Sequence, residues 1–142
     1  MIVKELLNIL EQWAPSAYAE NFDNVGLLIG NKETECSGII ITLDCTEDVV
    51  EEAIKKNCNV ILSFHPIIFS GLKKITGSSY VERVAIKAVE NKISVISLHT
   101  RLDNHPEGVN KVLCERLKIL KSRVLIPKKD NLKKLVVYTP EI

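Results

Sequence analysis

Three short runs, "GIIITLD" (38–44), "NVILS" (59–63) and "ISVISL" (93–98), are apolar, β-branched or small along most of their length and do not alternate with polar residues. Strands have that character when a parallel sheet is covered on both faces. Parallel neighbours need a crossover, and the segments between these runs have helical period. Thr46 is placed to cap a helix with Glu47 and Asp48 in its first turn and Val49, Val50, Ala53 and Ile54 as its inner stripe. Ser79 and Glu82 form a capping-box pattern ahead of Val81, Val84, Ala85, Ala88 and Val89, which should pack on the sheet.

The first dozen residues also carry helical spacing, at Val3, Leu6, Leu7 and Leu10, which stops at Trp13-Ala14-Pro15. "SAYAENFDNVGLLIGN" then reads as a short helix or turn and a polar loop closed by Gly30-Asn31. Beyond the third strand, a helix over 107–118 has Val109, Val112, Leu113 and Leu117 on one face, and "KKLVVYT" (133–139) reads as a last strand. The order of elements predicts an α/β fold, a layered domain with a mostly parallel sheet flanked by helices.

At 142 residues the chain suits one domain, 1–142. Its net charge of +1 offers no basic field to draw nucleic acid non-specifically. Cys36, Cys45, Cys58 and Cys114 form no CxxC pair and read as reduced, mostly core-packed thiols. The N-terminal segment lacks a cleavage site, and no apolar run approaches the ~20 residues of a membrane span. A soluble, cytoplasmic protein is expected. GxSxG, GxxxxGK[ST] and GxGxxG are all absent, so nucleophilic hydrolase, P-loop and Rossmann readings lose their usual support.

Ligands of open α/β sheets bind beyond the carboxyl ends of the strands. There the chain delivers Asp44 after the first run, Phe64 and His65 after the second, and His99 with Asp103 after the third. If the strands are parallel, these side chains share one rim, and imidazole with carboxylate suits zinc, iron or manganese. Pro66 favours an extended backbone at His65. The blander readings are a turn with a hydrogen-bonded imidazole at His65, a His-Asp pair at His99, and a capping or loop carboxylate at Asp44. His105 reads as solvated. Ile67, Phe69 and "FDNVGLLIG" (22–30) are candidates to wall a pocket, with Asp23 and Asn24 free for supporting hydrogen bonds. Asp44 and Asp23 are the candidate general bases, and nothing suggests an activated Cys45.

Five ordered blocks, "WAPSAYAENFDNVGLLIG", "GIIITLDCTEDVVEEAI", "NVILSFHPIIFSGLKKI", "RVAIKAVENKISVISLHTRLD" and "GVNKVLCERL", resemble the dinuclear metal centre proteins named GTP cyclohydrolase I type 2 homologs, or NGG-one-interacting factor three-like proteins. That family pattern carries His-His-Pro, His-Thr-x-x-Asp and a distant His-x-x-x-Glu that together hold two metals. By position, His65 matches the second histidine of the first motif, and His99 and Asp103 match the second motif. Phe64 replaces the first histidine, and the C-terminal motif has no counterpart.

The chain thus resembles an N-terminal portion of the family, with "VLIPKKDNLKKLVVYTPEI" near the point where larger members enter an inserted small domain. The resemblance implies half of the larger fold, a single divalent metal at most, at His65, His99 and Asp103 in an incomplete site, and homo-oligomeric rings of six in the full-length family. It implies a metal-dependent hydrolase acting on a small molecule, of the GTP cyclohydrolase kind. The alternative is a non-catalytic metal-binding or protein-interaction module of the transcription-factor-interacting type. Neither reading expects specific nucleic acid or membrane as a partner.

Overall fold

A computed structural model describes residues 1–127 and 135–139. The three apolar runs form strands β2 (Ile39–Thr42), β3 (Val60–Ser63) and β4 (Ser94–Ser97), and a further strand, β1 (Gly26–Ile29), joins them. The sheet order is β1-β4-β3-β2, with β2, β3 and β4 parallel and β1 antiparallel to β4. The domain is α/β, as its apolar runs predict, but the sheet is mixed.

Side chains of the central strands alternate between two aliphatic cores, as the two-residue period of a strand requires. Ile61 and Val95 face α2 (Glu47–Lys55) and α3 (Tyr80–Glu90), packing with Val50, Ala53, Val84, Ala85 and Ala88. Val60 and Ile96 face the other way, onto Val3, Leu6 and Leu10 of α1 (Val3–Trp13). Burying a Val or Ile side chain contributes about 1.5–3 kcal/mol, so these two layers dominate the stability. No aromatic side chain is buried among the described residues. Ion pairs Arg83–Glu47 and Lys87–Glu51 clip α3 to α2 along their exposed edges.

Capping follows the sequence in part. Thr46 Oγ1 accepts from the Val49 N–H and Ser79 Oγ from the Glu82 N–H. The Glu82 carboxylate does not close the expected box on the Ser79 N–H. It accepts instead from the N–H and hydroxyl groups of Thr76 and Ser78 and from the Ser79 hydroxyl, gathering the preceding loop.

Three other expectations need correction, and the exposure of the last helix face is added to them. The segment 26–29 is a strand, not a loop. A short helix α4 (Thr100–Asp103) follows β4 directly, ahead of α5 (Val109–Arg116). The apolar stripe of α5 is exposed at Val109, Val112, Leu113 and Leu117. Of the predicted strand 133–139, residues 133–134 lie outside the described residues, and 135–139 form no strand. Among the described residues no helix is long and apolar enough to cross a membrane.

Candidate metal-binding site

The parallel register sets Thr42, Ser63 and Ser97 side by side at the ends of β2, β3 and β4. Asp44, His65 and His99 each sit two residues beyond these partners, so in-register strands deliver three functional groups at one level. The hydrogen bonding continues past the strands: His65 N–H donates to Leu43 O and His99 N–H to Phe64 O, both at 2.9 Å. Two buried serines close the turn, Ser63 Oγ donating to His65 O at 2.8 Å and Ser97 Oγ to Phe64 O at 2.7 Å.

Each imidazole then meets an aspartate. His65 Nδ1 lies 2.7 Å from Asp44 Oδ1, and His99 Nδ1 lies 2.8 Å from Asp23 Oδ1. Asp23 reaches the rim because β1 runs antiparallel, pairing Gly26 with Ser97, so the residues just before β1 lie at the carboxyl end of β4. The two imidazole centroids are 5.6 Å apart at 74°. Phe64 packs edge-on against both, at 5.0 Å from His65 and 5.6 Å from His99, and Phe69 stands 6.4 Å from His99. Neither Nε2 has a hydrogen-bond partner among the described residues, and neither is a buried unsatisfied atom.

The two pairs differ in setting. The Asp44 side chain is 59% exposed, whereas that of Asp23 is fully covered. Burial pushes the Asp23 carboxyl up, but hydrogen bonds from His99, from the hydroxyl and N–H of Thr100 and from the Asn24 N–H outweigh it and hold the group below its ordinary value. His99 itself has φ 31° and ψ −118°, a left-handed conformation rare for a residue with a side chain. Such strain costs about 1–3 kcal/mol and persists where the surroundings over-determine it, often at functional sites.

Arg101, buried on α4, donates from Nε to Ala14 O at 2.6 Å and from Nη2 to Ala14 O, Leu10 O and Glu11 Oε2. It thereby satisfies the Ala14 carbonyl left open at the end of α1, adds a second donor to Leu10 O, and seats α4 against the helix.

Of the residues singled out in the sequence, His65, His99 and Asp44 come together. Asp103 lies on α4, one helical turn beyond His99, and borders a separate hollow of about 590 Å³ with His105, Leu113, Cys114 and Leu117. Among the described residues no three His, Cys, Asp or Glu side chains converge as a ligand set. Asp44 is neither a cap nor an isolated loop carboxylate, since its partner is His65. Ile67 is buried in the core and does not wall a pocket, while Phe69 does face His99.

His105 is not simply solvated: Nε2 lies 2.8 Å from Trp13 O, Nδ1 accepts from the Glu107 N–H, and the ring contacts Trp13 and Tyr18. Cys45 is buried, which raises its thiol pKa to about 11 and makes it a poor nucleophile at neutral pH. Ser63, Ser97, Thr100 and Arg101 were not singled out by the sequence. Their only signal was position, at or just beyond a strand end.

Fold and rim define an α/β protein carrying two aspartate-paired histidines at the carboxyl edge of its parallel strands. The chain belongs to the Duf34/NIF3 (NGG1p interacting factor 3) family, whose model matches residues 1–141. It is 45% identical over 123 residues to a "GTP cyclohydrolase 1 type 2 homolog" of Clostridium acetobutylicum, covering 87% of this chain and 46% of that protein. A Staphylococcus aureus protein of the same name is 36% identical over 141 residues, 99% of this chain and 38% of its own length. The chain therefore spans less than half the length of these curated relatives.

Among solved structures, the Bacillus cereus protein related to NIF3 superposes with a TM-score of 0.84 at 34% identity, over 90% of this chain and 35% of that one. Reduced HcgD from Methanocaldococcus jannaschii gives 0.81 at 30% identity, over 92% and 51%.

Proposed function

We propose that this chain binds one divalent metal ion through Nε2 of His65 and His99, and that the site serves a metal-dependent hydrolysis. The observation that carries the reading is the imidazole pair itself. Two imidazoles on a common zinc, with Zn–N of ~2.0–2.1 Å, place their ring centroids roughly 5–6 Å apart, and the observed separation is 5.6 Å. Metal-bound histidines characteristically donate their other ring N–H to a carboxylate. Asp44 and Asp23 occupy those positions on the two rings. Zinc, iron and manganese all suit such donors.

The chain's own residues do the positioning. Asp44 and Asp23 orient the rings, Ser63 and Ser97 hold the turns that carry them, and Phe64 and Phe69 supply an apolar flank beside the donors. A divalent ion held there would act as a Lewis acid and lower the pKa of a water toward ~7. The names of the relatives favour a small heterocyclic or nucleotide substrate. Phe64 stands where the family pattern has a histidine, which supports one ion in place of two.

Elemental analysis of the purified protein tests the proposal, with His65→Ala and His99→Ala alongside. Near-stoichiometric metal that falls at least ten-fold in both variants is expected. Metal-free parent protein, or metal content indifferent to both substitutions, refutes it. Hydrolysis of nucleotides and phosphoesters with and without chelator then decides whether turnover accompanies binding.

The exposed apolar stripe of α5 favours a second reading, a non-catalytic interaction module in which the metal is structural. Metal retention without chelator-sensitive turnover on any substrate tried would favour it.

A further inference from the structure

We propose that the adjacent residues Asp23 and Asn24 form a positioning clamp, in which Asp23 fixes the tautomer of His99 and Asn24 fixes the distance between the two imidazoles. The inference deepens the metal-site reading and rests on it only for the use made of the free Nε2 atoms.

Asp23 has all its acceptor positions engaged. Oδ1 accepts from the Asn24 N–H at 2.8 Å and lies 2.8 Å from His99 Nδ1, while Oδ2 accepts from the Thr100 N–H at 3.1 Å and from the Thr100 hydroxyl. An ionised carboxylate only accepts, so the proton of a neutral His99 sits on Nδ1 and the lone pair on Nε2. The same carboxylate grips the residue after His99, holding the strained backbone at φ 31° that aims the ring.

Asn24 works on the other imidazole's chain. Its Nδ2 donates to Ile68 O at 2.5 Å, three residues beyond His65, across a loop already stiffened by Pro66. Two consecutive residues therefore hold the segment after His99 and the segment after His65. Asp44 cannot substitute, because its exposed side chain touches only the His65 side of the pair.

Replacing Asp23 by Ala removes the acceptor that faces His99 Nδ1. A neutral imidazole without such a partner favours the Nε2–H tautomer, so the proton moves to Nε2, where it blocks ligation. A purely structural role for Asp23 predicts lost stability without this exchange.

Imidazole ¹⁵N NMR on chelator-treated protein, at a pH where the ring is neutral, reads the tautomer without any metal. The expected result is Nδ1–H at His99 in the parent and Nε2–H in Asp23→Ala, with the backbone amide spectrum otherwise preserved. Nε2–H in the parent overturns the proposal whether or not the variant folds, and an unchanged Nδ1–H in a folded Asp23→Ala overturns it too. Asn24→Ala should keep His99 as Nδ1–H but lose the NOE between the His65 and His99 ring protons. A retained NOE removes Asn24 from the clamp. Failure to bind metal would defeat the proposed function while leaving both readouts intact.

Discussion

Arg101 and Ala14 lie 87 positions apart in the chain, yet both Nε and Nη2 of the arginine converge on the alanine carbonyl that ends α1. Burial lowers the guanidinium pKa, and the nearby Glu11 carboxylate raises it in part. Arg101→Met keeps the apolar stem but strands the carbonyl of Ala14. A loss of about 1–3 kcal/mol is expected in urea or guanidinium unfolding, and Arg101→Lys, with no planar fork, should recover less than half of it.

The aliphatic cores set the largest single-residue effects. Ile96 is fully buried against α1, and Ile96→Ala should cost about 2–5 kcal/mol, as other large-to-small core changes do. Ile41, on the same face of edge strand β2 but 78% exposed, should cost under ~0.5 kcal/mol when changed to Thr. Paired denaturation curves check the contrast.

Gly30 closes β1 at φ +110°, and a Cβ there would clash with Ser94 Oγ and meet Ser94 Cα at 2.8 Å. Gly30→Ala should therefore destabilise by ~2 kcal/mol or more, combining strain with overpacking. Because β1 delivers Asp23 to the rim, the imidazole NOE between His65 and His99 should weaken in the same variant.

Acid sensitivity has an identified contributor. The N–H and hydroxyl of Thr76, then the Ser78 and Ser79 hydroxyls, act against burial to hold the Glu82 carboxyl near a pKa of about 2, below its ordinary 4.5. A depressed folded-state pKa means the stabilisation is complete above about 4.5, shrinks as the pH falls, and is gone below about 2. The difference in unfolding midpoint between the parent protein and Glu82→Gln should be largest near neutrality and close progressively below pH 4.5.

Asp44→Asn tests the exposed half of the site. Its pairing with His65 is solvent-screened, so stability should change by less than ~1 kcal/mol. Metal affinity should drop by roughly ten-fold or more, the usual effect of removing a carboxylate behind a ligating histidine. Isothermal titration of the chelator-treated protein with zinc measures it.

The parallel core was legible because fully covered strands lose alternation, and β2, β3 and β4 fall within two residues of their apolar runs. The rim follows from the strand-end rule, which brings Asp44, His65 and His99 together but also groups with them Asp103, which borders a separate hollow. β1 was not legible: "GLLI" is four residues long, follows a polar turn, and owes its extension to pairing with β4. The turn residues Asp23 and Asn24 were legible as supporting hydrogen-bonders, but without that strand nothing in the sequence named His99 as the partner of Asp23. α4 escaped for the same reason, being a single turn anchored by Thr100 and Arg101 through contacts far away in the chain. The stripe on α5 has the helical period its residues predict, with no layer over it among the described residues.

The all-aliphatic interior also decides what a fluorimeter sees. Trp13 is the sole tryptophan, half exposed at the end of α1 and 5.7 Å from the His105 ring. Its emission reports the junction of α1 with the 104–107 turn, and remains blind to whether the sheet is intact. A fluorescence midpoint that precedes the circular-dichroism midpoint would thus register fraying of that corner, and would not by itself signify a populated folding intermediate.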